Sequence, residues 1–427
     1  MKIIESFSQA KPLLSRQSIT GLADDAEREK TVRQIIEDVR KRGDAALFEY
    51  TQKFDGVKPA SLEVSAEQIE LSNKEVDREL VSALELAVSR ITAYHEKQKK
   101  ALLKEDTKSK LGWLMRPLER IGIYTPGGTA PLPSSLLMTA IPARVAGVKE
   151  IIMVTPPQSN GKVSPVTLAA AKIAKVGRIF SVGGAQAIAA LAYGTESIPA
   201  VDKVYGPGNI YVTLAKKLFY GTVGIDGLYG PSEVIIIADG AANPAYVAAD
   251  LLAQAEHGSG ALSIMLTVSR QVADAVNFEV EKQVKDLPRR QIITEALEKR
   301  GFIAVVGSVD EAIELANLYA PEHLCLAVKN AASYINKVRN AACLFVGENA
   351  VEALVDYAAG PSHVLPTGGV ARFGSPLNIL DFIKLINIVK TDVADIRQLG
   401  DAVATIARAE GLDAHARAVE KRLKDAG

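Results

Sequence analysis

The spacing of apolar residues predicts helices over most of the first hundred positions. Between residues 24 and 43, Val32, Ile35 and Val39 recur at helical intervals among charged residues, and the stretch ends at a glycine. Residues 66–104 repeat this amphipathic spacing. The sequence therefore predicts a mostly helical N-terminal quarter.

Near residue 116 the pattern changes to short β-branched runs that alternate with Ala-rich helical stretches. The first series predicts strands over 121–124, 151–155 and 179–182, with helices over 134–147, 165–175 and 184–194. The second series predicts strands over 234–238, 262–268, 302–306, 325–328 and 342–346, with helices over 243–257, from 271 onward and over 309–319. After residue 381 we expect only a charged helical tail.

Alternation of strands and helices at this period is typical of parallel βαβ units. We therefore predict an α/β fold with two tandem Rossmann-like parallel-sheet domains and helical N-terminal and C-terminal appendages. No Pro/Gly/Ser-rich linker marks a boundary between the domains.

Composition narrows the function classes. The 427 residues carry 50 Lys+Arg and 50 Asp+Glu, so there is no net charge to attract nucleic acid or an anionic membrane. Two cysteines cannot form a disulfide framework or a Cys-rich zinc module, which points to a reducing compartment and to nitrogen and oxygen ligands for any metal. No signal peptide or long apolar span is evident, and we expect a soluble cytoplasmic protein.

Three Gly-rich segments each precede a predicted helix, at 127–131, 183–186 and 206–209. The amides at such helix starts could bind an anionic or dinucleotide ligand. None of the segments completes G-x-G-x-x-G, since Tyr211 stands where the last glycine of the third should be. The alternative is that these glycines only make tight turns.

Histidine is scarce, with five in the chain, and four of them have an acid or amide nearby. His95 lies in a charged helix and is expected at the surface. Gln254 and His257 are at i and i+3 on one helix face, where two donors can share a metal ion. Glu322 and His323 are adjacent and suit acid–base chemistry, with a helix C-terminal capping pair as the alternative.

Two further pairs flank glycine-containing segments, Asp356 with His363 and Glu410 with His415. His257, Asp356 and His415 form a plausible zinc ligand set, to which Gln254 could add a carbonyl oxygen. For each pair taken alone, the alternative is an ordinary ion pair or helix cap.

Cys325 and Cys343 both fall in apolar strand runs, HLCLAV and AACLFV, which predicts buried structural cysteines. An aldehyde oxidation through a cysteine thiohemiacetal is therefore not expected.

Eight segments resemble, in order, the motif blocks of the histidinol dehydrogenase family. They are IGIYTPGGTAPLPSSLLM, VGGAQAIAALAYGTES, VDKVYGPGNIYV, GPSEVIIIAD, LLAQAEH, APEHL, DYAAGPSHVLPTGGVARFGSPL and EGLDAHARAV, and they span the chain from about residue 116 to the C-terminus. The resemblance implies a zinc-dependent, NAD-linked enzyme that oxidises L-histidinol through L-histidinal to L-histidine, the last step of histidine biosynthesis.

The resemblance also assigns residues position by position. It implies that Glu322 and His323 are the catalytic pair and that Tyr124, Gln186 and Asn209 bind NAD. The implied zinc ligands are Gln254, His257, Asp356 and His415. The implied substrate contacts are Ser232, Gln254, His257, His323, Asp356, His363, Glu410 and His415.

At the level of domains, the resemblance implies an N-terminal arm over 1–20 and an NAD-binding domain over 124–232. A first α/β domain over 21–123 and 233–378 would carry most metal and catalytic residues, and the helical tail over 379–427 would be exchanged in a homodimer. Two alternatives stay open: a relative that oxidises another hydroxyl compound, such as a sulfonated diol, and a non-catalytic zinc- or nucleotide-binding protein. His363 and Glu410 favour histidinol, and the intact Glu322–His323 pair favours an enzyme.

Overall fold

The computed structural model describes residues 1–15, 26–127 and 131–425. The chain divides into two compact units. The first comprises Met1–Lys99 and Leu118–Phe382, and the second comprises Lys100–Pro117 and Ile383–Gly427.

The elements are numbered in chain order. The strands are β1 (Lys2–Ile4), β2 (Leu111–Pro117), β3 (Arg120–Tyr124), β4 (Glu150–Thr155), β5 (Arg178–Ser181), β6 (Lys203–Tyr205), β7 (Gly224–Ile225), β8 (Glu233–Ala238), β9 (Leu262–Thr267), β10 (Phe302–Val305), β11 (His323–Ala327), β12 (Cys343–Val346) and β13 (Ile383–Val389). The α-helices are α1 (Phe7–Leu13), α2 (Ala26–Arg42), α3 (Asp44–Asp55), α4 (Ala66–Glu75), α5 (Arg78–Leu102), α6 (Pro133–Ala146), α7 (Pro165–Ile173), α8 (Gly184–Tyr193), α9 (Ile210–Phe219), α10 (Pro244–Ala255), α11 (Arg270–Gln283), α12 (Arg290–Arg300), α13 (Val309–Tyr319), α14 (Glu352–Tyr357), α15 (Val393–Ala409) and α16 (Asp413–Asp425).

The first unit contains two parallel sheets. The six-stranded sheet has the order β1-β10-β9-β8-β11-β12, and the five-stranded sheet has the order β5-β4-β3-β6-β7. All neighbouring strands in both sheets run parallel. The predicted α/β fold class is confirmed, because each predicted strand is present within two residues of its predicted ends.

Helices cover the sheets as parallel topology requires. Apolar residues of α10, α11 and α12 pack against one face of the six-stranded sheet, and residues of α1 and α13 pack against the other. Helices α2, α3, α8 and α9 share a core with the five-stranded sheet. The central strands are therefore buried on both faces, which explains their continuous apolar runs, such as EVIIIA in β8.

The second unit corrects one expectation. Strand β13 pairs antiparallel with β2, from Ile383 opposite Pro117 to Val389 opposite Leu111, so the chain is not purely helical after residue 381. The sequence IKLINIV is rich in β-branched residues, but it is largely exposed and lacks the buried pattern of the other strands. Helices α15 and α16 follow, as predicted.

The N-terminal quarter is mostly helical, as predicted, with two differences. The helix predicted over 66–104 is two helices, because Val76 takes an extended conformation and the Asp77 carboxylate accepts the N–H of Glu79 at 2.8 Å. Residues 2–4 form β1, which extends the six-stranded sheet. Positions 24 and 25 of the first predicted helix lie outside the described residues.

The surface location expected for His95 is wrong. Its side chain is fully buried, Nδ1 lies 2.9 Å from Oε1 of Gln98, and the ring packs edge-on to Tyr94 at 5.2 Å. The charges of α5 occupy its exposed positions, while His95 falls on the buried stripe with Leu84 and Ile91.

In the part of the chain that the structure describes, no helix combines the length and apolar character needed to cross a bilayer.

Candidate functional site

Two adjoining cavities contain most of the residues singled out in the sequence. The smaller, of about 230 Å³, is lined by His257, His323 and Asp356 among others. The larger, of about 690 Å³, is lined by residues that include Tyr124 and Gln186. Leu132 and Pro207 border both cavities, so the cavities are neighbours.

One cavity lies at the carboxyl edge of its sheet and the other at the amino edge of its sheet. Tyr124 ends β3, and Gly184 and Gly206 follow β5 and β6, which places the larger cavity at the carboxyl edge of its sheet. Ser232 directly precedes β8 and His323 begins β11, which places the smaller cavity at the amino edge of the six-stranded sheet. Ligands of open α/β sheets are usually expected at carboxyl edges, so only the larger cavity follows that rule.

His323 is held with one ring nitrogen fixed and the other free. Its Nδ1 lies 3.2 Å from the carbonyl oxygen of Glu233 and 3.2 Å from Oε1 of Glu352. Two acceptors at Nδ1 place the proton there and leave Nε2 as the acceptor. Nε2 is buried and, within the described part of the chain, has no hydrogen-bond partner. Burial lowers the pKa of His323 to about 3.

Glu322 lies beside this imidazole, in the short connection between α13 and β11. Its Oε2 accepts the backbone N–H of Glu233 at 2.8 Å and lies 3.9 Å from Nδ1 of His323. Burial raises the pKa of Glu322 well above its usual value. A carboxylate with a raised pKa is a stronger base when it is ionised, which suits activation of water.

A donor set for a metal lines or adjoins the same cavity. Nδ1 of His257 lies 3.3 Å from the Ser232 hydroxyl, and both residues line the cavity together with Asp356. Gln254, near the end of α10, is fully buried, yet no described residue forms a hydrogen bond with its Oε1 or its Nε2. An orphaned buried amide is costly, and a metal ion at its oxygen would relieve this cost, so these residues fit a zinc site.

A further grouping involves a residue that the sequence analysis missed. One ligand atom each of His323, Glu352 and Asp356 lies within 4.8 Å of the others, a spacing that could hold a metal ion. Glu352 is buried in α14, one turn before Asp356. Its signal in the sequence was an i, i+4 pair of acids in a short helix, which ordinary surface helices also show.

His363 is tied to the backbone of the same helix. Its Nδ1 lies 2.7 Å from the carbonyl oxygen of Asp356, its Nε2 lies 3.2 Å from the hydroxyl of Ser135, and burial lowers its pKa to about 4. The turn before it, predicted from the sequence, requires glycine at Gly360, where φ is +120° and a Cβ would lie 2.9 Å from the Cβ of Tyr94.

The three predicted NAD contacts line the larger cavity. The Tyr124 hydroxyl accepts the N–H of Gly184 at 3.2 Å, at the start of α8, and burial raises the Tyr124 pKa. Gln186 is buried, and its Oε1 has no hydrogen-bond partner among the described residues. Asn209 caps α9 by accepting the N–H groups of Tyr211 and Val212 at 3.0 and 3.2 Å.

Of the three Gly-rich segments, the first lies partly outside the description, because residues 128–130 are not described. The other two are the turns that lead from β5 into α8 and from β6 toward α9. In the third, Gly206 has φ +106°, and a Cβ there would lie 2.1 Å from the carbonyl oxygen of Tyr124. Glycine is therefore required for this close backbone approach.

A buried ion pair supports this third segment. Nζ of Lys216 is paired with Oδ1 of Asp226, with side-chain exposures of 3% and 0%. The ammonium group also donates to the carbonyl oxygen of Gly206 at 3.0 Å, and Oδ2 of Asp226 accepts the N–H of Gly206 at 2.7 Å. Both backbone groups of Gly206 are thus fixed by one ion pair.

Glu410 and His415 belong to the second unit. Glu410 is the C-terminal cap of α15, and His415 lies in the first turn of α16, where its N–H donates to the carbonyl oxygen of Leu412 at 3.0 Å.

Both cysteines lie in strands, as predicted, and these strands are neighbours. Cys325 is buried as expected, whereas the burial expected for Cys343 is wrong, because its side chain is only half-buried; both are free thiols. Burial raises the pKa of Cys343 to about 12 and that of Cys325 well above its usual value, which disfavours the nucleophilic thiolate.

Comparison with known proteins decides the family. The family model described as histidinol dehydrogenase matches residues 20–423. The chain belongs to the histidinol dehydrogenase family. This membership confirms the resemblance that the sequence motifs carry and places the chain among the oxidoreductases.

Individual members of the histidinol dehydrogenase family match over nearly their whole length. Histidinol dehydrogenase of Dehalococcoides mccartyi strain CBDB1 is 55% identical over 436 residues, which covers 99% of this chain and all of that protein. That of Deinococcus radiodurans is 51% identical, over 93% of this chain and 91% of the relative. The crystal structure of histidinol dehydrogenase from Elizabethkingia anophelis superposes with a TM-score of 0.93 at 39% identity, covering 100% of this chain and 98% of that one.

Proposed function

We propose that this chain oxidises L-histidinol through L-histidinal to L-histidine in two NAD-linked steps at a zinc-containing site, the last step of histidine biosynthesis. The observation that carries the proposal is His323, whose buried Nε2 has no hydrogen-bond partner among the described residues and which lines the same cavity as Glu322. The family membership supports the substrate.

The residues fit both cofactors. Gln254, His257 and Asp356 would hold zinc, and Tyr124, Gln186 and Asn209 would hold NAD in the adjoining larger cavity. When bound, zinc would supply a Lewis acid that orients the substrate, and NAD would supply the hydride acceptor for each oxidation.

Two side chains of this chain accept the protons that the reaction releases. Nε2 of His323 takes the proton of the substrate hydroxyl in the first oxidation. Glu322 then takes a proton from the water that adds to the aldehyde, and His323 acts as base again in the second oxidation. Glu352 is a positioning residue, because its contact at Nδ1 keeps Nε2 as the acceptor.

The decisive assay counts NADH formed per L-histidinol consumed by the zinc-loaded protein, beside a chelator-treated control. We expect two NADH per substrate, lost with the metal and restored by zinc. Turnover of another alcohol, with no turnover of histidinol, would mean that the chain carries out the same type of oxidation on a different substrate. Bound zinc with no turnover on any alcohol would favour a binding protein instead.

Glu322→Gln separates the two oxidations. A glutamine oxygen can still accept the N–H of Glu233, so the fold should persist while water activation fails. We expect one NADH per substrate in a single turnover and slow oxidation of added histidinal, with an unchanged zinc content as the control. Equal impairment of both oxidations would contradict the assignment.

Metal content tests the ligand assignment without reference to activity. His257→Ala and Asp356→Ala should each lose zinc on dialysis against a weak chelator. His95→Gln is the control and should retain zinc, because His95 is not among the residues that line the cavity. Full zinc retention in both ligand variants would refute the assignment.

We further propose a homodimer in which Glu410 and His415 complete the partner's site. Helix α15 supports this, because Leu399, Val403 and Ile406 form an apolar stripe with exposures of 53%, 41% and 59%. Apolar stripes of this kind usually mark an interface.

Mixed dimers test the exchange. His257→Ala and His415→Ala subunits should each be inactive alone. If the tails are exchanged, each mixed dimer contains one site with both residues intact, and refolding the two variants together should restore about a quarter of the wild-type activity. No recovery, with mixed dimers verified by differential tags, would exclude exchange. The domain boundaries and the cytoplasmic location stay predictions.

A further inference from the structure

The larger cavity contains one charged side chain among its described lining residues, and no part of the mechanism above uses it. This residue is Asp55. Its Oδ2 is buried and has no hydrogen-bond partner among the residues that the structure describes. A carboxylate oxygen in this state is expensive unless a ligand donates to it.

A negative charge at the position of Asp55 destabilises the folded protein. Asp55 is the last residue of α3, followed by the C-terminal cap Gly56 at φ +74°. Negative charge is unfavourable at a helix C-terminus because the unpaired carbonyl groups there already carry partial negative charge. Burial adds to this cost and raises the pKa of Asp55 to about 6. Neither the helix nor the surrounding packing gains from an acid here.

The cavity lining indicates which part of a dinucleotide would meet Asp55. The nicotinamide must approach His323, and so lies toward Leu132 and Pro207, which the two cavities share. Asp55 belongs to the part of the lining contributed by α2 and α3, which the smaller cavity does not share. The adenosine end of a bound cofactor would therefore extend toward Asp55.

We propose that Asp55 accepts hydrogen bonds from the hydroxyl groups of the adenosine ribose and thereby selects NAD over NADP. Ribose hydroxyls are donors that a carboxylate satisfies, as acidic residues do in other dinucleotide sites. A 2′-phosphate would instead place two negative charges against Asp55. Among the described lining residues there is no Lys, Arg or His to offset them. This inference rests on the proposed NAD-linked function.

Calorimetric titration of the zinc-loaded protein with ADP-ribose and with 2′-phospho-ADP-ribose tests the role without turnover. The wild type should bind ADP-ribose at least about 100-fold more tightly. Asp55→Asn should weaken ADP-ribose binding by about 10- to 100-fold, the effect of removing a hydrogen bond to a charged group, and leave the phosphorylated probe unchanged or tighter. Asp55→Ser should behave in the same way.

Glu49→Gln is the matched control, because it removes one negative charge from the exposed side of the same helix, where Glu49 pairs with Arg42. It should leave the preference unchanged. The thermal midpoint of Asp55→Asn should equal or exceed that of the wild type, which a merely structural acid would not allow. Wild-type binding of ADP-ribose with an unaltered preference in Asp55→Asn would overturn the role of Asp55 alone. A wild type that binds neither probe would overturn the placement of the cofactor as well.

Discussion

Replacing Lys216 by Met tests whether the buried Lys216–Asp226 pair holds the Gly206 segment. The change removes the ammonium group and leaves the fully buried Asp226 carboxylate with the backbone N–H groups of Gly206 and Gly227 and the Tyr229 hydroxyl as donors. Breaking a buried ion pair by removing one partner costs about 3–5 kcal/mol. At roughly 2 °C per kcal/mol for a large domain, the thermal midpoint should fall by roughly 6–10 °C.

Circular dichroism at a fixed protein concentration measures this midpoint, and calorimetry with ADP-ribose measures the effect on the cavity. We expect weaker ADP-ribose binding in Lys216→Met, and partial recovery of the midpoint in Lys216→Met/Asp226→Asn, where no unpaired charge remains. Lys217→Met is the control, because Lys217 is exposed and only weakly paired with Glu29 at 3.5 Å. A midpoint within 1 °C of the wild type in Lys216→Met, a change of about 0.5 kcal/mol, would refute the reasoning.

Three further predictions follow from other buried groups. Glu352→Ala should lower kcat about tenfold or more with little change in KM, because Nδ1 of His323 loses one acceptor. Glu352→Gln keeps an acceptor oxygen and should restore most of the rate. Equal rates of the two variants in steady-state assays would contradict the positioning role. His95→Ala should lower the thermal midpoint, at a cost of about 2–3 kcal/mol for a core cavity, while turnover is retained, and a large loss of turnover would contradict this. Burial raises the pKa of Asp250 to about 6, so the folded state binds this proton more tightly than the unfolded state, and the free energy of unfolding should fall as pH rises from about 4 to about 6. Asp250→Asn should remove this pH dependence and stabilise the protein at pH 7 by about 1–2 kcal/mol after allowance for partial exposure. An unchanged pH profile of the thermal midpoint in this variant would contradict the assignment.

Most strands that are buried on both faces could be predicted from the sequence, although the three-residue strand β6 was missed. Strands such as EVIIIA carry continuous apolar runs, and the helices between them carry clear amphipathic spacing. The apolar pattern did not predict strands that form mainly by pairing with a neighbouring strand rather than by burial. Strand β1 is only three residues long and becomes regular by adding to β10, and β13 depends on its antiparallel partner β2.

The candidate site shows a different division. Residue chemistry and spacing singled out Glu322 and His323, and the structure adds the reason that their ionisation is altered, which is burial. Glu352 and Asp55 could not be found in this way. Their importance depends on what surrounds each carboxylate in space, and an acid at the start or end of a helix carries no such signal in the sequence.

The location of the smaller cavity at the amino edge of the six-stranded sheet separates the opposite edge of that sheet from the proposed chemistry. The connections at the opposite edge follow β1, β8, β9, β10, β11 and β12, and none of them supplies a residue to either cavity lining among the described residues. A tag or fused domain inserted between residues 239 and 243 would therefore be separated from the smaller cavity by the length of the strands.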